Sequence, residues 1–343
     1  MSQIKNTRQS NFELLRIISM LLVLLVHYTA GRQLYPIYDI GGGNLLLHNL
    51  LHTGINLELK SISIVCVNCF IFISGYWGIK FKLRSFSNLM FQMIFWSIAC
   101  VVMSIATGYN ASNISFNSYI SSIIWGWFPT GYLILFVFSP ILNSFIKQCN
   151  EKELLKYIIL FYLLSTIGGY LLGFHDFREG MSAISLMGLY LIGAYLRITT
   201  LKIFTLKAKY DLLLYFGLGL GMVLFNLLLL FIGVKSSPYG YLNPIIILMS
   251  IYLFLFFKKI DIGHIRIINF LAASAFSIYL FHCNLFMGDF VTNMWKEINS
   301  TFGFYGSIFV ALLSFIAIYL FCVLIDQIRI FIYKYIEKGF IKN

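Results

Sequence analysis

The sequence predicts an all-α, polytopic membrane bundle of about ten transmembrane helices, with both termini in the cytoplasm. Three observations predict it. Hydrophobic residues fill 59% of the 343 positions and charged residues only 11%, a balance that one water-soluble globule cannot bury. The remaining polar residues are gathered into short stretches between apolar runs of about 17–24 residues, the length that crosses roughly 30 Å of hydrocarbon. Lysine and arginine, finally, fall mostly in alternate connections.

The runs lie at 12–30, 59–79, 86–107, 129–147, 154–173, 180–196, 211–234, 240–257, 267–286 and 304–328. The first opens with Lys5, Arg8 and Arg16; Lys80, Lys82 and Arg84 separate the second from the third. Lys147, Lys152 and Lys156 follow on the same side after the fourth run, and Arg197, Lys202, Lys207 and Lys209 after the sixth. Lys258, Lys259 and Arg266 come after the eighth, and Arg329, Lys334, Lys338 and Lys342 after the tenth. Twenty cations thus share one side, against Arg32, Lys60, Arg178, Lys235 and Lys296 on the other. Retained positive charge marks the cytoplasmic side.

The same asymmetry accounts for the formal charge of +12 through topology and anionic headgroups, so no nucleic acid partner is expected. The first run has the basic start of a signal peptide. Arg16 interrupts its apolar stretch, however, and Tyr28 stands where a small residue would precede cleavage at Ala30, so it reads as a retained span. Cys66, Cys69, Cys100, Cys283 and Cys322 fall inside runs and only Cys149 in a connection, which argues against a disulfide framework. The Cys66-x-x-Cys69 spacing reads as packing within a buried helix. A single domain, 1–343, fills the chain. The longest outer connections, 31–58, 108–128 and 287–303, suit a lid or a substrate groove, and Tyr119 to Trp127 reads as a short interfacial helix.

Chemistry is sought where ionisable groups stand inside lipid, because such groups are costly and usually functional. Arg16 and His27 are eleven residues apart on the first run, which places them about 20° apart around the axis and roughly 16 Å apart along it. They share one face, and Glu13 lies one turn before Arg16, within pairing reach. The structural alternative is an arginine that snorkels and a histidine bonded to a carbonyl. On the ninth run, Tyr279-Leu280-Phe281-His282 ends at a depth similar to His27, so two imidazoles from different helices reach one level, as a proton-handling site requires. The second run supplies Asn68, Ser74 and Gly75 before its basic cluster.

These residues resemble the acyltransferase family 3 membrane proteins, which include bacterial polysaccharide O-acetyltransferases, over most of the chain. The opening Asn11-Phe12-Glu13-Leu14-Leu15-Arg16 through His27-Tyr28 looks like the family's Glu-Leu-Leu-Arg start with its Arg-x10-His pair. Asn68 to Tyr76 resembles the segment ending in Phe-x-x-Ser-Gly-Phe/Tyr, and the family's basic residues after it match here to Lys80, Lys82 and Arg84. Trp127-Phe128 through Pro140, Tyr190 to Arg197 and Phe276 to His282 are similar to three further family segments, in family order. The arginine-rich signature after the second run is mixed here, and lysine lacks the bidentate fork of arginine.

The resemblance implies transfer of an acyl group, usually acetyl, from cytoplasmic acyl-CoA to a sugar hydroxyl of an extracytoplasmic or lipid-linked polysaccharide, with catalysis at His27. It places the protein in a cell membrane as a multi-pass enzyme, expected to be the bacterial cytoplasmic membrane. Acetyl-CoA enters as co-substrate; no bound cofactor and no metal are expected. Arg16, Lys80, Lys82 and Arg84 would hold the donor's phosphates while the uncharged thioester arm threads toward His27. His27 would take the acceptor's proton, with His282 either orienting it or stabilising the oxyanion and Glu13, Asn68, Ser74 and Tyr279 in supporting places. A two-step route through acyl-His27 fits equally well. Among the remaining polar residues, His48 and His52 have an i, i+4 spacing that would suit a metal if helical, but two ligands are insufficient and Asp39 and Glu58 are only nearby in sequence, so the stretch reads as a polar acceptor-side loop, and His175, Asp176, Arg178 and Glu179 read as a solvated turn. Asn110, Asn113 and Asn299 begin N-x-Ser/Thr sequons. The rival class is a transporter or flippase for a lipid-linked glycan.

Overall fold

A computed structural model describes residues 9–30, 47–109, 114–124, 126–174, 177, 179–232 and 238–341. Asp39, His175, Asp176, Arg178, Asn110 and Asn113 lie outside these residues, as does the side chain of His48. Among the described residues the fold is all helix, with no strand. The principal elements are α1 (Ser10–Thr29), α2 (Leu47–Ser63), α3 (Cys66–Trp77), α4 (Leu83–Thr107), α5 (Phe116–Ile123), α6 (Trp127–Gln148) and α7 (Glu151–Thr166). Then come α8 (Ala183–Ile198), α9 (Ala208–Phe231), α10 (Pro244–Lys259), α11 (Arg266–Ala272), α12 (Ala275–His282) and α13 (Gly288–Ile341). Among them are six helices long and apolar enough to cross a membrane: Ser10–Thr29, Leu50–Trp77, Leu83–Thr107, Trp127–Gln148, Ala208–Phe231 and Gly288–Lys338. All ten predicted apolar runs fall mainly on helix. That uniformity follows from the solvent, because lipid offers backbone groups no partners and a helix satisfies them internally.

Two connections expected as outer loops are partly helical instead. Residues 47–58 belong to α2, so His52, Glu58 and Lys60 ride on a helix rather than in an acceptor-side loop. The ring of His52 stacks on Phe304 at 3.8 Å, and the Lys60 ammonium sits 4.6 Å from the Tyr239 ring centre. Residues 288–302 form the first part of α13, which bends at Gly303, where φ is 62°. Only glycine adopts that conformation readily, so the helical path breaks at Gly303 and two helices, 288–302 and 304–341, meet there across a kink. The interfacial helix between α4 and α6 is shorter than expected. Ser115 caps it through a capping box with Ser118, and Trp127 already starts α6.

Glycines set the closest contact in the bundle. A Cβ on Gly75 would lie 2.1 Å from the Tyr190 carbonyl oxygen, and one on Gly193 would lie 2.5 Å from that of Phe72. The α3 and α8 backbones therefore touch, as small residues permit when no hydrophobic effect drives helices together in lipid. Near the Phe12 end of α1, rings and amides do the fixing. Phe12 packs on Tyr76 and Trp77 with centroids 5.2 and 5.4 Å away, and the Asn11 amide donates to the Phe257 carbonyl at 2.9 Å. These contacts leave the opposite end of α1, with His27, against α12 and the start of α13.

Candidate active site

His27 comes from the last turn of α1 and His282 from the last residue of α12. Nδ1 of His27 lies 2.8 Å from Nε2 of His282, and Nδ1 of His282 lies 2.6 Å from the Ile278 carbonyl oxygen. A carbonyl can only accept, so His282 carries its proton on Nδ1. Its Nε2 is then a lone pair when the ring is neutral, and the short contact requires the proton on Nδ1 of His27. These partners thereby assign the tautomers. Nε2 of His27, on the far edge of the ring, becomes the proton-accepting nitrogen.

The local sequence holds this arrangement. After His282 the chain turns at Asn284, whose side-chain oxygen accepts from the Phe286 N–H at 2.9 Å, and α13 begins at Gly288. A Cβ on Gly288 would come within 3.2 Å of the His282 carbonyl oxygen, so a glycine lets the turn fold back this tightly. Cys283 brings its Sγ to 3.3 Å from Nε2 of His282 and 3.6 Å from Nδ1 of His27. The sequence shows Cys283 only as a cysteine inside an apolar run; its adjacency to His282 is the available signal.

Both imidazoles line a cavity of about 550 Å³. Tyr279, Trp127 and Trp295 supply aromatic walls, and Asn284, Asp289 and Thr292 supply polar ones. Tyr279 is buried, with its ring edge-on to His282 at 5.8 Å. Its hydroxyl lies 3.1 Å from where a Cβ on Gly126 would stand, and Gly126 has φ of 91°, so this glycine clears the space beside the phenol.

The other predicted residues lie elsewhere. Asn68 is buried and donates to the Tyr241 carbonyl at 2.9 Å; Tyr241 in turn packs on Trp127 at 5.4 Å. It braces the cavity wall from behind. Ser74 donates to the Phe70 carbonyl of its own helix at 3.3 Å, two residues before the Tyr76 that meets Phe12. Its hydroxyl thus bonds within its own helix, one turn after Phe70. Asn299 accepts from the Tyr28 hydroxyl at 2.6 Å, so the third sequon is engaged inside the fold.

At the Phe12 end, Arg16 donates to Glu13 at 2.6 Å. Arg84 is exposed and paired with Glu337 of α13, while Lys80 and Lys82 are exposed. The turn leading to these lysines is fixed: the Tyr190 hydroxyl accepts from the Ile79 N–H at 2.8 Å and donates to Asn143, whose amide donates to the Ile79 carbonyl at 2.8 Å. Two further cations reach this end. Lys258 donates to the Leu196 carbonyl at 2.7 Å and stands 5.2 Å over the Tyr76 ring, and Arg197 follows Leu196 in the last turn of α8. The sequence offers Lys258 only as one more inner cation, and Arg197 as one that also closes a family segment.

A second buried polar cluster links α4 to α13. Arg329 donates from Nε and Nη2 to the two oxygens of Asp326 at 2.7 and 2.9 Å, and from Nη1 to Asn88 at 3.1 Å. The Trp96 indole donates to Asp326 at 3.0 Å. Asp326 is fully buried and Arg329 nearly so.

No curated protein and no solved structure matches the chain. The family described as an acyltransferase domain, by contrast, matches residues 9–327, a stretch that contains both imidazoles, the cavity walls and the cations of the Phe12 end. A match over nearly the whole chain, on an all-helical fold with membrane-length helices, shows that the protein belongs to acyltransferase family 3.

Proposed function

We propose that this membrane acyltransferase moves an acetyl or similar short acyl group from cytoplasmic acyl-CoA to a hydroxyl of an extracytoplasmic or lipid-linked polysaccharide. The positive-inside asymmetry puts both termini and the Phe12 end of α1 in the cytoplasm, with about ten crossings, and leaves the imidazole cavity toward the outer face. The membrane in question is the bacterial cytoplasmic membrane.

The single observation that carries the reading is the contact of His27 with His282 at the wall of the cavity. The Ile278 carbonyl holds the His282 proton, and His282 holds that of His27, so Nε2 of His27 receives a proton from an incoming hydroxyl. The acceptor oxygen then attacks the thioester carbonyl, the carbon–sulfur bond breaks, and the proton passes to the leaving CoA thiolate. A fixed partner on the far nitrogen keeps the base in the reactive tautomer, the service an aspartate performs in a hydrolase triad. Tyr279, in the wall of the same cavity, is a side-chain donor for the developing oxyanion.

The charged part of the donor stays at the opposite end. Arg16, Lys80 and Lys82 retain the roles expected from sequence, Arg84 serves only by leaving Glu337, and Lys258 and Arg197 join them. Trp127 offers a flat apolar face to a sugar ring, and Asn284, Asp289 and Thr292 offer polar atoms to its hydroxyls. Mass spectrometry of surface glycans from cells carrying His27→Ala tests the reading. The glycan should persist at its usual level without its acyl esters. Retained esters, or glycan lost from the surface, would favour a transporter and overturn the enzyme.

A further inference from the structure

The two imidazoles and the thiol beside them have the spacing of a soft-metal site. The three ligand atoms, Nδ1 of His27, Nε2 of His282 and Sγ of Cys283, are separated by 2.8, 3.3 and 3.6 Å. Around a tetrahedral zinc with bonds of about 2.0–2.1 Å to nitrogen and about 2.3 Å to sulfur, nitrogens stand roughly 3.3 Å apart and nitrogen and sulfur roughly 3.6 Å apart. Both nitrogen–sulfur separations already suit that geometry, and the nitrogens need only part by about half an ångström. The other nitrogen of His282 is held by the Ile278 carbonyl, the orientation that metal-bound histidines characteristically receive from a neighbouring acceptor. The cavity supplies room for a fourth ligand.

We propose that His27, His282 and Cys283 form an inhibitory binding site for a thiophilic divalent cation of the zinc type, and that metal and acyl transfer exclude one another. Binding replaces the Cys283 thiol proton, which leaves to solvent, with a metal–sulfur bond. It also takes Nδ1 of His27, whose proton moves to Nε2. The nitrogen that would accept the acceptor's proton is thereby occupied. The consequence for catalysis rests on the proposed role of His27, whereas the binding does not.

The test uses the purified full-length chain in lipid nanodiscs with Co2+ as a spectroscopic stand-in for Zn2+. One equivalent should bind with a sulfur-to-cobalt charge-transfer band in the near ultraviolet and tetrahedral ligand-field bands in the visible. Zn2+ should erase these bands, and Cys283→Ser and His282→Gln should each weaken binding at least tenfold. Alkylation of Cys283, located by mass spectrometry, provides a readout needing no variant, and Zn2+ should slow it at least tenfold. Absence of the charge-transfer band together with unprotected Cys283 overturns the site. Acyl transfer is compared with and without Zn2+ within each protein. Wild type should lose more than nine-tenths of its rate at saturating Zn2+, and Cys283→Ser should need at least tenfold more metal for the same fractional loss. Saturation by metal with the wild-type rate intact overturns the mutual exclusion. Transfer that persists in His27→Ala without metal instead overturns the catalytic role, leaving the metal site standing.

Discussion

Two polar clusters stand between helices of this protein, and they differ in the groups that compose them and in what they face. At Asp326 and Arg329 the carboxylate takes two bonds from its partner and one from the Trp96 indole, while the guanidinium adds Asn88. The charges cancel and are satisfied by protein, so this cluster holds α4 to α13. At His27 and His282 two imidazoles meet each other and a main-chain carbonyl, with no charged partner in those bonds, in residues that line a cavity. With the function proposed above, burial of polar groups in this membrane bundle has two separate uses, cohesion and chemistry. Lipid exposure and residue type alone do not tell them apart.

The contrast can be broken by exchanging the phenotypes. His27→Ala should lower kcat by about 10²–10⁴-fold, the usual share of a general base, while the thermal unfolding of the detergent-solubilised protein moves little. A variant that is both inactive and unfolded would place His27 with the cohesive cluster. Asp326→Ala strands a buried guanidinium and should cost roughly 3–5 kcal/mol of stability, read as loss of folded protein in a thermal or SDS titration. An unchanged midpoint there would deny that cluster its structural role.

Two smaller effects sharpen the comparison. His282→Gln removes the ring that fixes the His27 tautomer and should reduce kcat by about 10–100-fold with the KM for acyl-CoA unchanged, the scale of losing an orienting partner. An equal rise in KM would point to a collapsed cavity instead. Replacing Lys80 and Lys82 together by alanine should raise the KM for acyl-CoA by about three- to tenfold and leave kcat alone, as expected of exposed charges worth ~1 kcal/mol. If the donor KM does not move, Lys258 and Arg197 carry the phosphates without them.

The imidazole pair was legible in the sequence because depth along a spanning helix is simple arithmetic: His27 and His282 each end an apolar run measured from a basic boundary. Rotation about the helix axis is not recoverable that way, since it depends on which helices pack together. Ser74 shows the limit, reaching its own backbone near the Phe12 end although its motif stands out in sequence. Cys283 shows the converse, because a thiol among apolar residues looks like filler until the turn after His282 is seen. The helical runs were legible throughout, but the α13 bend was not. A glycine-containing polar stretch between apolar runs reads as a loop, and only the conformation at Gly303 makes it a bend. The second cluster was invisible for a related reason: Arg329 counts as one more inner cation until Asp326, Trp96 and Asn88 surround it.

The far end of the histidine chain is anchored on the main chain rather than on an acidic side chain. No substitution of the Ile278 side chain removes that oxygen, so position 278 can vary in size and shape without retuning which nitrogen holds the proton. What the site cannot tolerate is a change in the path of the helix itself between 278 and 282. Reactivity at His27 is in this sense a property of secondary structure, inherited by any sequence that keeps that turn wound.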